Sequence, residues 1–153
     1  MKNKIILNLV FLAILFSCKK VTAQKYFVND FDISSEFNQS EILSKIGYPD
    51  SVTEGGAQIV QEFGYNTYTY KYGLSYIDFK DESHAITNIV IKDMKLSIND
   101  IKIGASKSEV KNKFTNYEEI DGRLVIRFQD YAILSFVFNA NGLVSKILYL
   151  VHT

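Results

Sequence analysis

The sequence predicts an α+β fold of two tandem repeats, each a short helix followed by an antiparallel β-meander, with the helices on one face of the sheet. Two segments carry helix-capping patterns, and runs of alternating polar and apolar residues follow each of them, as is typical of strands. Hydrophobic residues make up 47% of the 153 residues and charged residues 22%, which is the composition of an ordinary globular chain.

Residues 1–17 are predicted to be a signal peptide. Lys2 and Lys4 precede an apolar run, Ile5–Phe16, that is too short for an ordinary membrane-spanning helix. The tetrapeptide Leu15-Phe16-Ser17-Cys18 resembles a bacterial lipobox, and cleavage there would leave Cys18 as a lipid-bearing first residue. The alternative cut follows Ala23 and would leave a soluble chain. Lipidation accounts for a single cysteine in an exported protein, so we favour Cys18.

Both helices are predicted from capping boxes, in which a side-chain acceptor precedes a glutamate by three residues. The pairs are Asn38 with Glu41 and Ser106 with Glu109. On this basis residues 18–30 form a tether, residues 31–93 the first repeat and residues 94–153 the second, within one compact domain.

Seven segments are predicted as strands, because apolar residues alternate along them or they are rich in β-branched and aromatic side chains. They are Gln58–Phe63, Thr67–Tyr72, Leu74–Phe79, Ile86–Lys92, Arg123–Phe128, Ala132–Phe138 and Val144–Val151. Successive side chains of a strand point to opposite faces, so Leu134, Phe136 and Phe138 form one row, which we assign to the core together with Ile77 and Phe79.

The opposite row contains the candidate binding residues Tyr76, Ile133 and Val137. Both rows of the last strand are apolar, so the outer face is expected to be covered. Three alternatives could pack on the outer face: the N-terminal segment around Tyr26-Phe27-Val28, the other repeat, or a partner protein.

Two stretches of the second half resemble a known family. Ile101-Lys102-Ile103-Gly104-Ala105-Ser106-Lys107-Ser108-Glu109-Val110 and Leu134-Ser135-Phe136-Val137-Phe138-Asn139-Ala140-Asn141-Gly142 are similar to motifs of the SmpA/OmlA small outer-membrane lipoproteins, which assist outer-membrane protein assembly. Two such units in tandem resemble the β-lactamase inhibitory proteins, which bind another protein. The resemblance implies a protein-binding role, but no functional residue of either family can be matched here.

Nothing in the chain predicts an enzyme, a cofactor or a metal site. The histidines, His84 and His152, have no partner at metal-ligand spacing, and no nucleophile or phosphate-loop motif is present. The formal net charge of zero gives no indication of nucleic-acid binding.

The sequence therefore predicts a non-enzymatic protein-binding module of the bacterial cell envelope, in the outer membrane or periplasm and anchored by lipid. Its partners would be the membrane, through the anchor, and an envelope protein. The alternatives are a soluble periplasmic or secreted inhibitor or immunity-type protein, and a carrier of a small molecule or lipid.

Overall fold

The computed structural model describes residues 25–33, 39–55, 66–80, 85–128 and 132–151. Cys18, both histidines, Asn38 and the predicted strand Gln58–Phe63 lie outside these ranges. The predictions made for them are therefore not addressed by the structure.

The described residues form ten strands and two helices. These are β1 (Phe27–Val28), β2 (Phe31–Asp32), α1 (Gln39–Lys45), β3 (Ser51–Glu54), β4 (Thr67–Tyr72), β5 (Ser75–Lys80), β6 (Ile86–Ile91), α2 (Lys107–Lys113), β7 (Glu118–Ile120), β8 (Arg123–Phe128), β9 (Ala132–Phe138) and β10 (Val144–Val151). Strands β1 and β2 form a small hairpin. The other eight form one antiparallel sheet in the order β3-β4-β5-β6-β10-β9-β8-β7.

The predicted α+β fold of two helix-and-meander repeats is wrong. The described chain is mostly β, and each helix has only seven residues. Strand β6 pairs with β10, with Ile91 opposite Ile147, so strands from both halves of the chain belong to one continuous sheet. Local sequence patterns could not show this pairing, because it joins segments that are far apart in the chain.

One face of the sheet, here called the inner face, carries the hydrophobic core. The β1–β2 hairpin packs against it, and its Val28 forms an isolated bridge with Ile98. The ring of Phe114, which follows α2, lies 5.1 Å from that of Phe136 in β9, and both side chains are fully buried. The predicted core residues Leu134, Phe136, Ile77 and Phe79 are all confirmed as buried, and Phe138 packs partly buried against them.

Helix α2 is fixed by the predicted capping box. The Ser106 hydroxyl accepts a hydrogen bond from the backbone N–H of Glu109 at 3.2 Å, and the Glu109 carboxylate accepts one from the backbone N–H of Ser106 at 2.7 Å. Val110 then faces the core. Glu119 of β7 pairs with Lys107 at 2.7 Å and with Lys111, so the edge strand is tied to the helix.

Two aspartates hold the turns at one end of the sheet. Asp50 accepts hydrogen bonds from the backbone N–H of Gly73 and the ammonium of Lys95, and Asp93 accepts one from the backbone N–H of Leu74. The bonds from Lys95 and Gly73 hold the pKa of Asp50 below its usual value. Gly73 has φ +66°, so this network fixes the left-handed turn that sets the register of β4 against β5.

No helix within the described ranges combines the length and hydropathy that a membrane crossing requires.

Candidate functional site

The structure places the three predicted binding residues on the face of the sheet opposite the core, here called the outer face. Tyr76 stands opposite Val90 in β6, and Val90 stands opposite Leu148 in β10. Ile133 and Val137 project to the same side from β9, two strands beyond β6. Neighbouring strands are about 4.8 Å apart, so Tyr76 and the β9 residues are separated by roughly 14 Å across the sheet. One partner surface of ordinary size could contact all three.

These residues belong to a larger apolar group, here called the outer patch. Its members alternate with core residues along strands β5, β6, β8, β9 and β10. They are Tyr76, Val90, Val125, Ile133, Val137, Leu148 and Leu150. Val90 and Val125 are only 3% and 7% exposed, although neither belongs to the core cluster of the inner face. Leu150 is 46% exposed. No other described element packs over the patch, in which Val90 and Val125 are buried while Leu150 presents apolar surface to solvent.

Sequence reasoning did not identify Val90, Val125, Leu148 and Leu150 as site residues. The available signal was that both rows of β10 are apolar, which does indicate Leu148 and Leu150. The predicted meanders place β6 beside β5 and β8 beside β9, but they do not give the register. The register of the folded sheet assigns Val90 and Val125 to the patch.

A polar cluster borders the patch beside Tyr76. The Asp78 carboxylate accepts hydrogen bonds from the Thr69 hydroxyl at 2.6 Å and from the Asn88 side-chain amide at 3.0 Å. In the same cross-strand row, Asn88 stands opposite Leu150. These two hydrogen bonds hold the Asp78 side chain in one orientation at this border of the patch.

The charged side chains of the outer-face strands are mostly basic. The basic residues are Lys71, Lys80, Arg123, Arg127 and Lys146, and the acidic residues are Asp78 and Glu118. Glu118 lies 3.5 Å from the guanidinium of Arg127, and Asp78 is held by the polar cluster. The apolar patch is therefore bordered by positive charge.

An open depression of about 270 Å³ adjoins the patch at β8. It is lined by Asn116, Tyr117, Glu118, Val125 and Arg127. Val125 belongs to both features, so a side chain that fills the depression would also contact the outer patch.

The N-terminal hairpin does not cover the outer patch. Tyr26 packs on the inner face, where its ring is stacked with that of Phe114 at 5.9 Å and meets that of Phe128 edge-on at 4.0 Å. The first meander lies beside the second in the same sheet and does not cover it either. Among the residues that the structure describes, neither the N-terminal segment nor the other repeat packs on the outer patch. These two predicted alternatives are therefore wrong.

No cluster of three or more histidine, cysteine, aspartate or glutamate side chains able to hold a metal ion is found within the described ranges. The outer patch combines aliphatic, aromatic and basic groups, with its aspartate fixed by hydrogen bonds. This arrangement is suited to contact with a surface of another macromolecule.

Comparison with known proteins gives no family assignment. No family model matches the chain, and no curated protein matches it. An extracellular protein containing an SCP domain from Bacillus anthracis matches with 14% identity and a TM-score of 0.45, over 74% of this chain and 42% of that one. A cysteine-rich secretory protein from Staphylococcus aureus matches with 18% identity and a TM-score of 0.43, over 72% of this chain and 42% of that one. The chain thus corresponds to less than half of either protein.

The expected resemblance to the SmpA/OmlA lipoproteins and the β-lactamase inhibitory proteins is wrong. No family model supports it, and neither family is named among the solved structures described above. The sequence motifs that suggested it are short turn and capping patterns, which many unrelated folds share.

Proposed function

We propose that this protein is an exported, non-enzymatic binding module that uses the outer patch to hold another protein. The observation that carries the proposal is an apolar sheet face over which no described element packs, while the hairpin and α2 occupy the opposite face. Exposed apolar groups that stand in one contiguous area are typical of interaction sites. Tyr76 lies at one side of this area, and tyrosine is enriched among residues that dominate binding energy.

Export is supported by the sequence of residues 1–17, and attachment to the membrane by the lipobox that ends at Cys18. Each buried methylene group of an acyl chain contributes about 0.8 kcal/mol to membrane binding, so two or three chains would anchor the protein stably. The intact mass of the mature protein tests this part of the proposal. An acylated Cys18 supports a tethered module, whereas an unmodified chain starting at Gln24 supports the soluble inhibitor.

Photo-crosslinking in intact cells tests the binding role. A photoreactive amino acid at Tyr76 or Ile133 should capture the same protein, because both positions belong to the outer patch. The same amino acid at Ser44, an exposed position on α1, is the matched control and should not capture it. Equal capture from all three positions, or capture from none, would contradict the binding role of the patch.

A further inference from the structure

We infer that the partner of the outer patch is an acidic protein, with apolar side chains flanked by carboxylates at its contact surface. This inference rests on the proposed binding function and adds the chemistry of the partner. It follows from the kind and position of the charges around the patch.

The positive charges stand on several sides of the patch. Lys71 is the cross-strand neighbour of Tyr76, and Lys146 is that of Val137. Arg127 is that of Ile133, but its charge is offset by Glu118. A carboxylate that flanks an apolar anchor on the partner would meet a basic side chain beside either β5 or β9. Charge complementarity of this kind steers association and fixes the register of two surfaces.

The described outer-face strands carry two carboxylates. Glu118 pairs with Arg127, so these two charges offset each other. Asp78, which accepts hydrogen bonds from Thr69 and Asn88, then stands against a larger number of lysines on the same strands.

The outer-face strands are more basic than the chain as a whole. If the chain is cut before Cys18, Lys2 and Lys4 are lost and the mature protein has two more acidic than basic residues. The rest of the mature chain, including the segments that the structure does not describe, then has an excess of acidic groups. An acidic partner would be attracted to the basic side chains beside the patch.

Two other occupants fit the patch less well. A second copy docking through the same face would bring together two surfaces with the same excess of basic side chains, which is unfavourable. An anionic lipid surface would attract the charges, but interfacial binding requires apolar side chains that project into the acyl region. Val90 and Val125 are instead buried, with 3% and 7% of their surface exposed.

Selection of random displayed peptides on the immobilised mature protein tests the inference. We expect enrichment of peptides that combine aspartate or glutamate with aromatic or aliphatic residues. A selected peptide should bind more weakly as salt rises, because screening weakens interactions between exposed charges. The double variant Lys71→Glu, Lys146→Glu should weaken its binding by about tenfold or more.

The matched control, Lys45→Glu with Lys113→Glu, reverses the charge of two lysines on the helices. It should leave the affinity for the selected peptide within about twofold. Selection of neutral or basic peptides, or equal binding to both double variants, would overturn the inference. Tight binding to phosphatidylglycerol vesicles with no peptide selected would also overturn it, in favour of a lipid surface. A crosslinked partner with a neutral or basic contact surface would overturn this inference alone, whereas failure of crosslinking would reject the binding function itself.

Discussion

The two faces of the eight-stranded sheet are built from alternate residues of the same strands, but they have different surroundings. On the inner face Leu134 and Phe136 are fully buried beneath α2 and the N-terminal hairpin. On the outer face the adjacent residue Ile133 is only half-buried. The outer row contains large apolar side chains too, although Ser135 interrupts it in β9. The comparison teaches that a core is defined by the elements that pack on it, and that apolar residues over which no described element packs are a candidate binding surface.

The largest expected difference is between neighbouring residues of β9. Leu134→Ala should reduce the free energy of unfolding by about 2–5 kcal/mol, because it leaves a cavity in the core. Ile133→Ala should reduce it by about 1 kcal/mol or less, because its side chain is half-buried on the outer face. Urea unfolding of both variants measures the difference. Similar losses would mean that the outer face is covered as fully as the core.

A charge placed in the outer patch should separate binding from stability. Leu150→Asp should leave the thermal unfolding midpoint nearly unchanged, because Leu150 is 46% exposed. It should weaken partner binding by about 2 kcal/mol or more if Leu150 is a central contact. Thermal denaturation and the yield of crosslinking from Ile133 provide the two measurements. A variant that unfolds would show instead that Leu150 supports the fold.

The register that keeps the two faces separate depends on the turn at Gly73. A Cβ atom there would collide with the Asp93 carboxylate and would also be strained at φ +66°. Gly73→Ala should therefore reduce the free energy of unfolding by more than about 1 kcal/mol. Gly122→Ala is the matched control, because Gly122 has φ +75° but open space around its Cβ position. Equal losses in the two variants would mean that strain alone, without the collision, determines the cost.

The smallest expected effect concerns Glu118 and Glu119, adjacent residues of β7 whose side chains lie on opposite faces of the sheet. On the inner side, hydrogen bonds from Lys107 and then Lys111 lower the pKa of Glu119 to about 2, from an ordinary value of 4.5. Its contribution to stability is therefore complete above about pH 5 and is lost as the pH falls towards 2. Between about pH 5 and pH 2, the urea concentration at the unfolding midpoint should fall less steeply with pH in Glu119→Gln than in the unsubstituted protein. Glu118→Gln, which removes a single pairing with Arg127 on the outer side, should change the slope less.

Part of the candidate site could be predicted from the sequence. The alternation along β5 and β9 assigned Tyr76, Ile133 and Val137 to the row opposite the core, and the register confirms that placement. Their role in binding stays a prediction. Val90 was not identified, because it enters the site only through pairing with strands from both halves of the chain.

The sequence by itself determined the local features: the capping box at Ser106, most of the strands and the two rows of each strand. These depend on interactions between residues that are close in the chain, so a short pattern predicts them. Only the tertiary structure decided that β6 pairs with β10, that the hairpin at Tyr26 packs on the inner face, and that the outer patch is bordered by basic side chains. These features depend on contacts between distant segments, which form only when the whole chain packs. Such contacts leave no periodic pattern in the sequence of any one segment.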